Sequence, residues 1–426
     1  MTDIFYKFRQ ASDFWYLTGL QEPHSALVLV KNPSSPEGYT STLFLRPKHP
    51  HEELWQGPRT GVDHAKDLFD VDAVLDISEF PTFLRTACLT SPQTEVYASN
   101  APGDSPAPST KAFKRRRTWS NYLGKATGDL LKGVATYDSV MMEVPANRLS
   151  PLAPKLTQMR AVKSEAEQRV MKKAGDVSGN AHAKTMRFTK PGQSEGALAA
   201  HFEYLCALEG AQRPAYVPVV ASGPNALTIH YTTNDQIMRD GELVLMDAGC
   251  EMNGYASDIS RTWPVNGTFT SPQRDLYSAV LATLKACTAM CTESAGVTMY
   301  DIHRRSSDML LRELKQLGGF ASSNLTQKDL DRLYPHFVTH GVGIDLHESS
   351  DGRSRSLQDG MVITIEPGLY VPPDSAFPKA FHNIGIRLED EVLVKKDHFI
   401  RLSANAPLEI EDVEGTCQGL LGVGPY

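Results

Sequence analysis

Two aspartates carry the first chemical signal. In Gly241–Arg261 (GELVLMDAGCEMNGYASDISR) an apolar run of Leu, Val, Leu and Met ends in Asp247, and Asp258 follows 258 − 247 = 11 residues later. A carboxylate at the end of a buried strand needs a partner, because desolvating an unpaired charge is costly. Asn253-Gly254 is a two-residue hairpin signal. The stretch therefore reads as strand, tight turn and strand, with Asp258 inside the second strand and the two carboxylates roughly opposite each other. Like charges in that arrangement repel, and a cation between them relieves the repulsion.

Three later stretches enlarge the set. His336–Gly343 (HFVTHGVG) places His336 and His340 four apart, and His347-Glu348 follows; Gly341 and Gly343 end any helix there. Met361–Tyr370 (MVITIEPGLY) reads as a strand with Val362, Thr364 and Glu366 on one face, stopped by Pro367-Gly368. In 385–393 (GIRLEDEVL) the period of a strand puts Arg387, Glu389 and Glu391 on one face, and pattern alone does not choose between the two glutamates. Singly, each is a common turn, cap or surface feature. Together they form an oxygen-rich set with one imidazole, which suits hard or borderline divalent ions such as Mn²⁺, Co²⁺ or Zn²⁺. Four carboxylates carry a formal −4, which two such ions balance. Ions about 3.5–4 Å apart can share a hydroxide, since coordination lowers the pKa of water from 15.7 to about 7. The chemistry is metal-assisted hydrolysis, with His230 and His347 free to stabilise an oxyanion.

The elements that must position these groups follow from periodicity. Ser164-Glu165-Ala166-Glu167 is a capping box opening a helix with Val170, Met171, Ala174 and Val177 on one face. Further helices are expected at about 194–208, 272–294 and 300–317. Strands are expected at 215–221, 242–248, 255–262, 361–366 and 384–394. Helices and antiparallel strands interleave without a regular βαβ beat, which is an α+β pattern. Prolines at 145, 151 and 154 mark a boundary between residues 1–150 and 151–426. The first part is a smaller α/β domain with strand-like runs at 25–31, 41–47, 72–77 and 94–98. Residues 99–112 (SNAPGDSPAPSTKA) read as a linker or long loop, and Lys114–Arg117 as a solvated basic edge.

Composition narrows the partners. At 426 residues the chain has room for two or three domains. A net charge of −7 offers no electrostatic footprint for nucleic acid or anionic membrane, and no apolar run reaches the length of a membrane span. Six scattered cysteines without a CxxC suit a reducing compartment; Cys287 and Cys291 read as small core residues at helical spacing. Phe8-Arg9-Gln10 and Asp13–Tyr16 read like the interior of a domain, so a first strand or a targeting segment is expected upstream of Met1.

Seven ordered blocks resemble the Xaa-Pro aminopeptidases, of the metallopeptidase group that also contains methionine aminopeptidase and has the pita-bread catalytic fold. In the first domain they are FRQASDFWYLTGLQEP (8–23) and ELWQGPRTG (53–61). In the second they are NALTIHY (225–231), MDAGCEMNGYASDISRTWPVNG (246–267), HFVTHGVGIDLHE (336–348), ITIEPGLY (363–370) and GIRLEDEVLV (385–394). The resemblance implies metal ligands at Asp247, Asp258, His340, Glu366 and Glu389, with Asp258 and Glu389 bridging two divalent ions, most often Mn²⁺. It favours Glu389 over Glu391. It implies that Glu366 accepts a proton as the bridging hydroxide attacks. It further implies that His230 and His347 contact oxyanion and substrate, that His336 lies near the proline carbonyl, and that Arg387 and Tyr370 orient ligand carboxylates. Trp55 and the loops of the first domain would wall the cleft. Thr339 and Glu348 depart from the commoner Gly or Ser and Asp at those positions.

The activity implied is removal of one N-terminal residue from a peptide or protein whose next residue is proline. Two alternatives stand beside it. One is an intermediate-cleaving peptidase of the same branch, which trims processed mitochondrial proteins without a proline requirement. The other is a catalytically inactive binding protein on the same fold. The branch implies a mitochondrial location, with the cytoplasm as the alternative, and a homodimer is one assembly open to it.

Overall fold

Ser164 and Glu167 form the expected capping box: the Ser164 hydroxyl accepts from the Glu167 N–H, and the Glu167 carboxylate accepts from the Ser164 N–H. The box starts a helix over Glu165–Phe188 whose Met171, Ala174, Val177 and Ala181 are buried. In the computed structural model, which describes residues 6–99, 137, 140–320, 325–348 and 352–426, the chain divides into two units, Met1–Leu156 and Thr157–Tyr426. The expected linker beyond Ser99 and the basic edge Lys114–Arg117 lie outside the described residues.

In the first unit, β1 (Ala26–Lys31) pairs antiparallel with β2 (Tyr39–Leu45), which pairs parallel with β3 (Ala73–Asp76). Leu43 and Leu45 of β2 pack with Leu20 and Ala65 into one apolar cluster. A short parallel pair joins β4 (Val96–Ala98) to β5 (Leu149–Pro151).

The second unit is built of helices and small antiparallel sheets. β6 (Arg213–Pro214) pairs with β9 (Cys250–Met252), which also pairs with β10 (Tyr255–Ala256). β7 (Val219–Ser222), β8 (Leu243–Asp247) and β11 (Ser260–Pro264) form a second sheet with β8 central. β12 (Val362–Ile365), β15 (Asp390–Val394) and β16 (Phe399–Arg401) form a third, and β13 (Gly368–Val371) pairs with β14 (Ile384–Arg387). β8, β12 and β15 are buried along almost their whole length, including the polar Thr364, Asp390 and Glu391. Helices Glu195–Leu208, Ser271–Thr288 and Met299–Gln316 supply the rest of the core through Phe202, Tyr277, Leu284, Ile302 and Leu310.

Three sequence expectations are corrected here. The Gly241–Arg261 stretch is not one hairpin: Asn253-Gly254 turns the small β9–β10 pair, and β8 leaves it to pair with β11. Asp247 therefore faces Ser260, and Asp258 sits in the gap between β10 and β11, outside any strand. Gly249 permits the divergence, because a Cβ there would stand 1.8 Å from the Ser257 carbonyl oxygen. Likewise 384–394 is two strands with different partners, broken at Leu388-Glu389, so Glu389 and Glu391 do not share one continuous face. The helix expected to reach residue 294 ends at Thr288. In the two strand cases the local period continues through a point where pairing changes partner.

Candidate metal centre

Every acidic group of the site stands where a ladder stops. Asp247 closes β8, Asp258 occupies the β10–β11 gap, Glu366 follows the last residue of β12, and Glu389 fills the β14–β15 break. His340 comes from an irregular segment that runs along β12: its carbonyl accepts from the Thr364 N–H at 2.9 Å, and the Glu366 N–H donates to the Val338 carbonyl at 2.8 Å. The Glu389 N–H donates to the Ser260 carbonyl at 3.0 Å, which ties the β14–β15 break to β11. Regular pairing would turn these side chains to alternating faces; the breaks let them converge.

They converge closely. Ligand-type atoms lie within 4.8 Å of one another in three overlapping groups: Asp247, Asp258 and Glu389; His340, Glu366 and Glu389; and Asp258, His340 and His347. His340 Nε2 is 3.3 Å from Asp258 Oδ2 and 3.7 Å from Glu366 Oε1. His336 Nδ1 is 3.8 Å from Glu366 Oε2. The His340 and His347 rings meet edge to face, 4.4 Å apart. Glu391 is also fully buried, but it belongs to none of these groups.

Burial and mutual repulsion set the ionisation. Glu389 is held far above the usual carboxylate range, first by burial and then by Asp258, Glu366 and Asp247. Burial also lifts Glu366 to about 7, against the attraction of His340 and Arg387. Burial opposes charge on His340, yet Asp258 and Glu366 outweigh it and bring the imidazole to about 9. His336 goes the other way, down to about 3, because burial is reinforced by the Arg387 guanidinium. His347 is lowered by burial and by His340, and His230 adds to the lowering of both His336 and His347. His230 is thus brought to the same site, from the exposed end of the loop after β7.

A hydrogen-bonded chain runs behind the carboxylates. Arg387 donates to Asp247 Oδ2 at 2.7 Å, to the Ser260 hydroxyl at 2.9 Å and to the Tyr370 hydroxyl at 2.9 Å. Ser260 donates to Glu389 Oε2 at 2.9 Å, and the Tyr370 oxygen is 2.9 Å from His336 Nε2. One arginine therefore touches the surroundings of Asp247, Glu389 and His336 together.

Tyr216 is a site residue that sequence reading missed. Its hydroxyl donates to Asp247 Oδ1 at 2.5 Å and stands 2.7 Å from Asp258 Oδ1. Burial and the two aspartates push its pKa far up, so it stays a phenol. Within PAYVPVV nothing marks this tyrosine, since its partners lie 31 and 42 residues away. Arg160 is a second omission: it donates to Asp345 and Glu348, which brace the loop carrying His347.

The donor set fits divalent cations. Four carboxyl groups face one guanidinium and one imidazole, and this excess of acid adds to burial in pushing Glu389 and Glu366 toward their neutral forms. Oxygen-rich donors with one nitrogen match hard or borderline ions, and ionised ligands balanced by metal are the cheaper state of such a buried cluster.

A carboxylate and imidazole centre gathered at strand breaks of an α+β unit has the donor chemistry of a metal-dependent hydrolase. Residues 169–396 match metallopeptidase family M24, and residues 1–97 match the N-terminal domain of aminopeptidase P. The chain is 34% identical to intermediate cleaving peptidase 55 of Saccharomyces cerevisiae, over 97% of this chain and 78% of that protein. It is 37% identical to human Xaa-Pro aminopeptidase 3, over the same shares. Among solved structures, zinc-substituted Escherichia coli aminopeptidase P in complex with product superposes with a TM-score of 0.82 at 32% identity, covering 98% of this chain and 91% of that one. The chain belongs to metallopeptidase family M24, in the group of aminopeptidase P and intermediate cleaving peptidase 55, and is a metal-dependent aminopeptidase with a pita-bread catalytic domain.

Proposed function

We propose that this enzyme hydrolyses the bond after the first residue of peptides in which proline follows, with two divalent ions, Mn²⁺ first among Mn²⁺, Co²⁺ and Zn²⁺. The observation that carries the reading is the convergence of Asp247, Asp258, His340, Glu366 and Glu389 in overlapping triplets whose ligand-type atoms lie within 4.8 Å of one another. Those five residues are the proposed ligands, with Asp258 and Glu389 shared between the ions, because among the residues that recur in the overlapping groups (Asp258, His340 and Glu389) these two are carboxylates able to offer one oxygen to each ion. When bound, the ions would acidify a water and polarise the scissile carbonyl.

The remaining steps belong to protein side chains. Glu366, 3.7 Å from His340 and 3.8 Å from His336, would accept the proton of the attacking water and return it to the leaving nitrogen. His230 and His347 would hydrogen-bond the carbonyl oxygen as charge builds on it. His336 stays neutral, with its Nδ1–H donated to the Phe337 carbonyl and its Nε2 accepting from the Tyr370 hydroxyl, so it would line the substrate side of the site without adding positive charge. Arg387 fixes Asp247 and keeps its negative charge compensated.

A second reading has its own support, because the similar proteins include intermediate cleaving peptidase 55 of yeast and of Arabidopsis thaliana, the latter named mitochondrial. Under it, one residue is removed from processed proteins whatever stands second, and the enzyme works in mitochondria. Paired peptides that differ only in Pro or Ala at the second position separate the readings. We expect kcat/KM to favour proline by at least about tenfold, roughly 1.4 kcal/mol of transition-state discrimination; equal values select the second reading. Asp258→Ala is expected to abolish both activities and to lower bound metal, measured by elemental analysis. Full activity in that variant would remove the dinuclear assignment.

A further inference from the structure

The loop that carries His230 has little regular structure of its own. Between β7 and the strand pairing near Ile237 it contains one short 3₁₀ turn, Gly223–Leu227, and otherwise irregular backbone. Its order is imposed from outside, and one buried side chain does most of this. Glu195 is wholly inaccessible and stands at the first position of helix Glu195–Leu208, directly after the Ser194 cap.

Its carboxylate gathers five donors. Oε1 accepts from the Ser222 N–H at 2.7 Å, from the Ser222 hydroxyl at 2.8 Å and from Asn225 Nδ2 at 3.0 Å. Oε2 accepts from the Tyr231 hydroxyl at 2.9 Å and from the Gln236 N–H at 3.0 Å. All five donors lie in residues 222–236, at the start, middle and end of the loop, and Tyr231 is the immediate neighbour of His230. The Glu195 N–H donates to the Gln236 carbonyl at 2.9 Å, which closes the loop onto the helix start. From the opposite side the 223–227 turn rests on Gly385 of β14, where a Cβ would come within 2.4 Å of the Ala226 carbonyl oxygen. A carboxylate saturated by donors, at a helix N-terminus that favours negative charge, is a rigid anchor.

We infer that Glu195 is a positioning residue: its carboxylate sets the path of residues 222–236 and thereby the place of the His230 imidazole beside His336 and His347. This rests on the proposed role of His230 in contacting substrate. It extends that role to a residue on a different helix, which touches neither the ligand cluster nor the substrate. Glutamine keeps the shape of the side chain but turns one acceptor oxygen into an NH₂ group facing donors, so Glu195→Gln must release part of the loop.

The test compares Glu195→Gln, His230→Ala and the double variant in the metal-loaded enzyme. We expect kcat/KM of Glu195→Gln to fall by about 10- to 100-fold through misplacement, while metal affinity by chelator competition stays unchanged. The double variant should be no worse than His230→Ala alone, because both changes remove one function. Amide exchange should quicken over 223–236 and stay slow in β8 and β12. Full additivity of the two losses overturns the inference, and so does unchanged exchange in the loop. If Glu195→Gln does not fold, Tyr231→Phe and Asn225→Ala each remove one donor and are held to the same two criteria. Should His230→Ala keep full activity, the substrate role of His230 fails; the exchange measurement then still decides whether Glu195 orders the loop.

Discussion

Tyr216 illustrates how much a single hydroxyl can govern in a crowded anionic site. It has one proton and two carboxylate neighbours, so it can satisfy one lone pair and must tolerate a close contact with the other. By occupying Oδ1 of Asp247 while Arg387 occupies Oδ2, it leaves that carboxylate little freedom to rotate. Partners of this kind usually contribute 10- to 100-fold to metal affinity. Tyr216→Phe is therefore expected to weaken metal binding by about 10- to 100-fold, with the fold intact because the half-buried ring keeps its place. Competition with a chelating dye measures this directly; unchanged affinity would show that Arg387 alone orients Asp247. Glu391 makes the complementary point. It is as buried as Glu389 and two residues away, yet the strand break aims only Glu389 at the other ligands.

At the scale of elements, the site depends on keeping strand breaks in place without letting them unravel. Arg261 does this beneath the ligands. Its guanidinium is fully buried, pairs with Asp390 at 2.8 Å, and donates to the carbonyls of Ser260, Glu389, Pro407 and Ala406. It thus fastens β11, the Glu389 break and the segment near Pro407 to one planar group, which its rigid fork suits. Removing one partner of a buried pair typically costs about 3–5 kcal/mol; here Asp390 keeps Arg401 at 2.9 Å and the Ser403 hydroxyl, and the loss falls mainly on the buried carbonyls that Arg261 serves. Arg261→Met should therefore destabilise the folded protein by about 3–5 kcal/mol, read from denaturant unfolding. It should also lower metal occupancy, since the break that aims Glu389 loosens. A loss below about 1 kcal/mol would mean that backbone pairing alone holds the break.

For the whole molecule, the ionisation of the metal-free centre predicts how stability varies with pH. Glu389 lies well above its ordinary range, Glu366 near 7 and His340 near 9. In the unfolded chain carboxyls release protons near 4.5 and histidine near 6.5. Between about pH 7.5 and 8.5 the folded state therefore holds more protons than the unfolded one, and stability falls as pH rises, by up to about 1.4 kcal/mol per pH unit for each proton so held. Histidines with lowered values, such as His182 and His336 near 3, oppose this trend while their unfolded forms titrate around 6.5 and are neutral in both states by about pH 7.5. Bound metal keeps the ligands ionised and removes the dependence. Calorimetry of chelator-treated protein should show Tm decreasing across this range, and the metal-loaded protein should show a higher and flatter profile. A rising Tm in the metal-free protein would contradict the charge assignment.

Several of these features were legible in the sequence and several were not. The helix caps were readable because Ser164 and Glu167 satisfy each other within one turn. The ligand candidates were readable because carboxylates ending apolar strands have few ordinary explanations, and the resemblance supplied the choice of Glu389. The residues that support them were hidden. Tyr216, Ser260, Arg261 and Glu195 are ordinary residue types whose partners come from distant segments, such as the 129 residues between Ser260 and Glu389. The strand breaks were hidden for the same reason. Local alternation continues through Asp258 and through Leu388-Glu389, so periodicity extends each strand, and only competition among β8, β9, β12 and β13 for partners decides where pairing stops. Sequence alone determined which groups could bind metal; tertiary pairing decided which of them meet, because convergence depends on where the ladders end and local pattern carries no record of that.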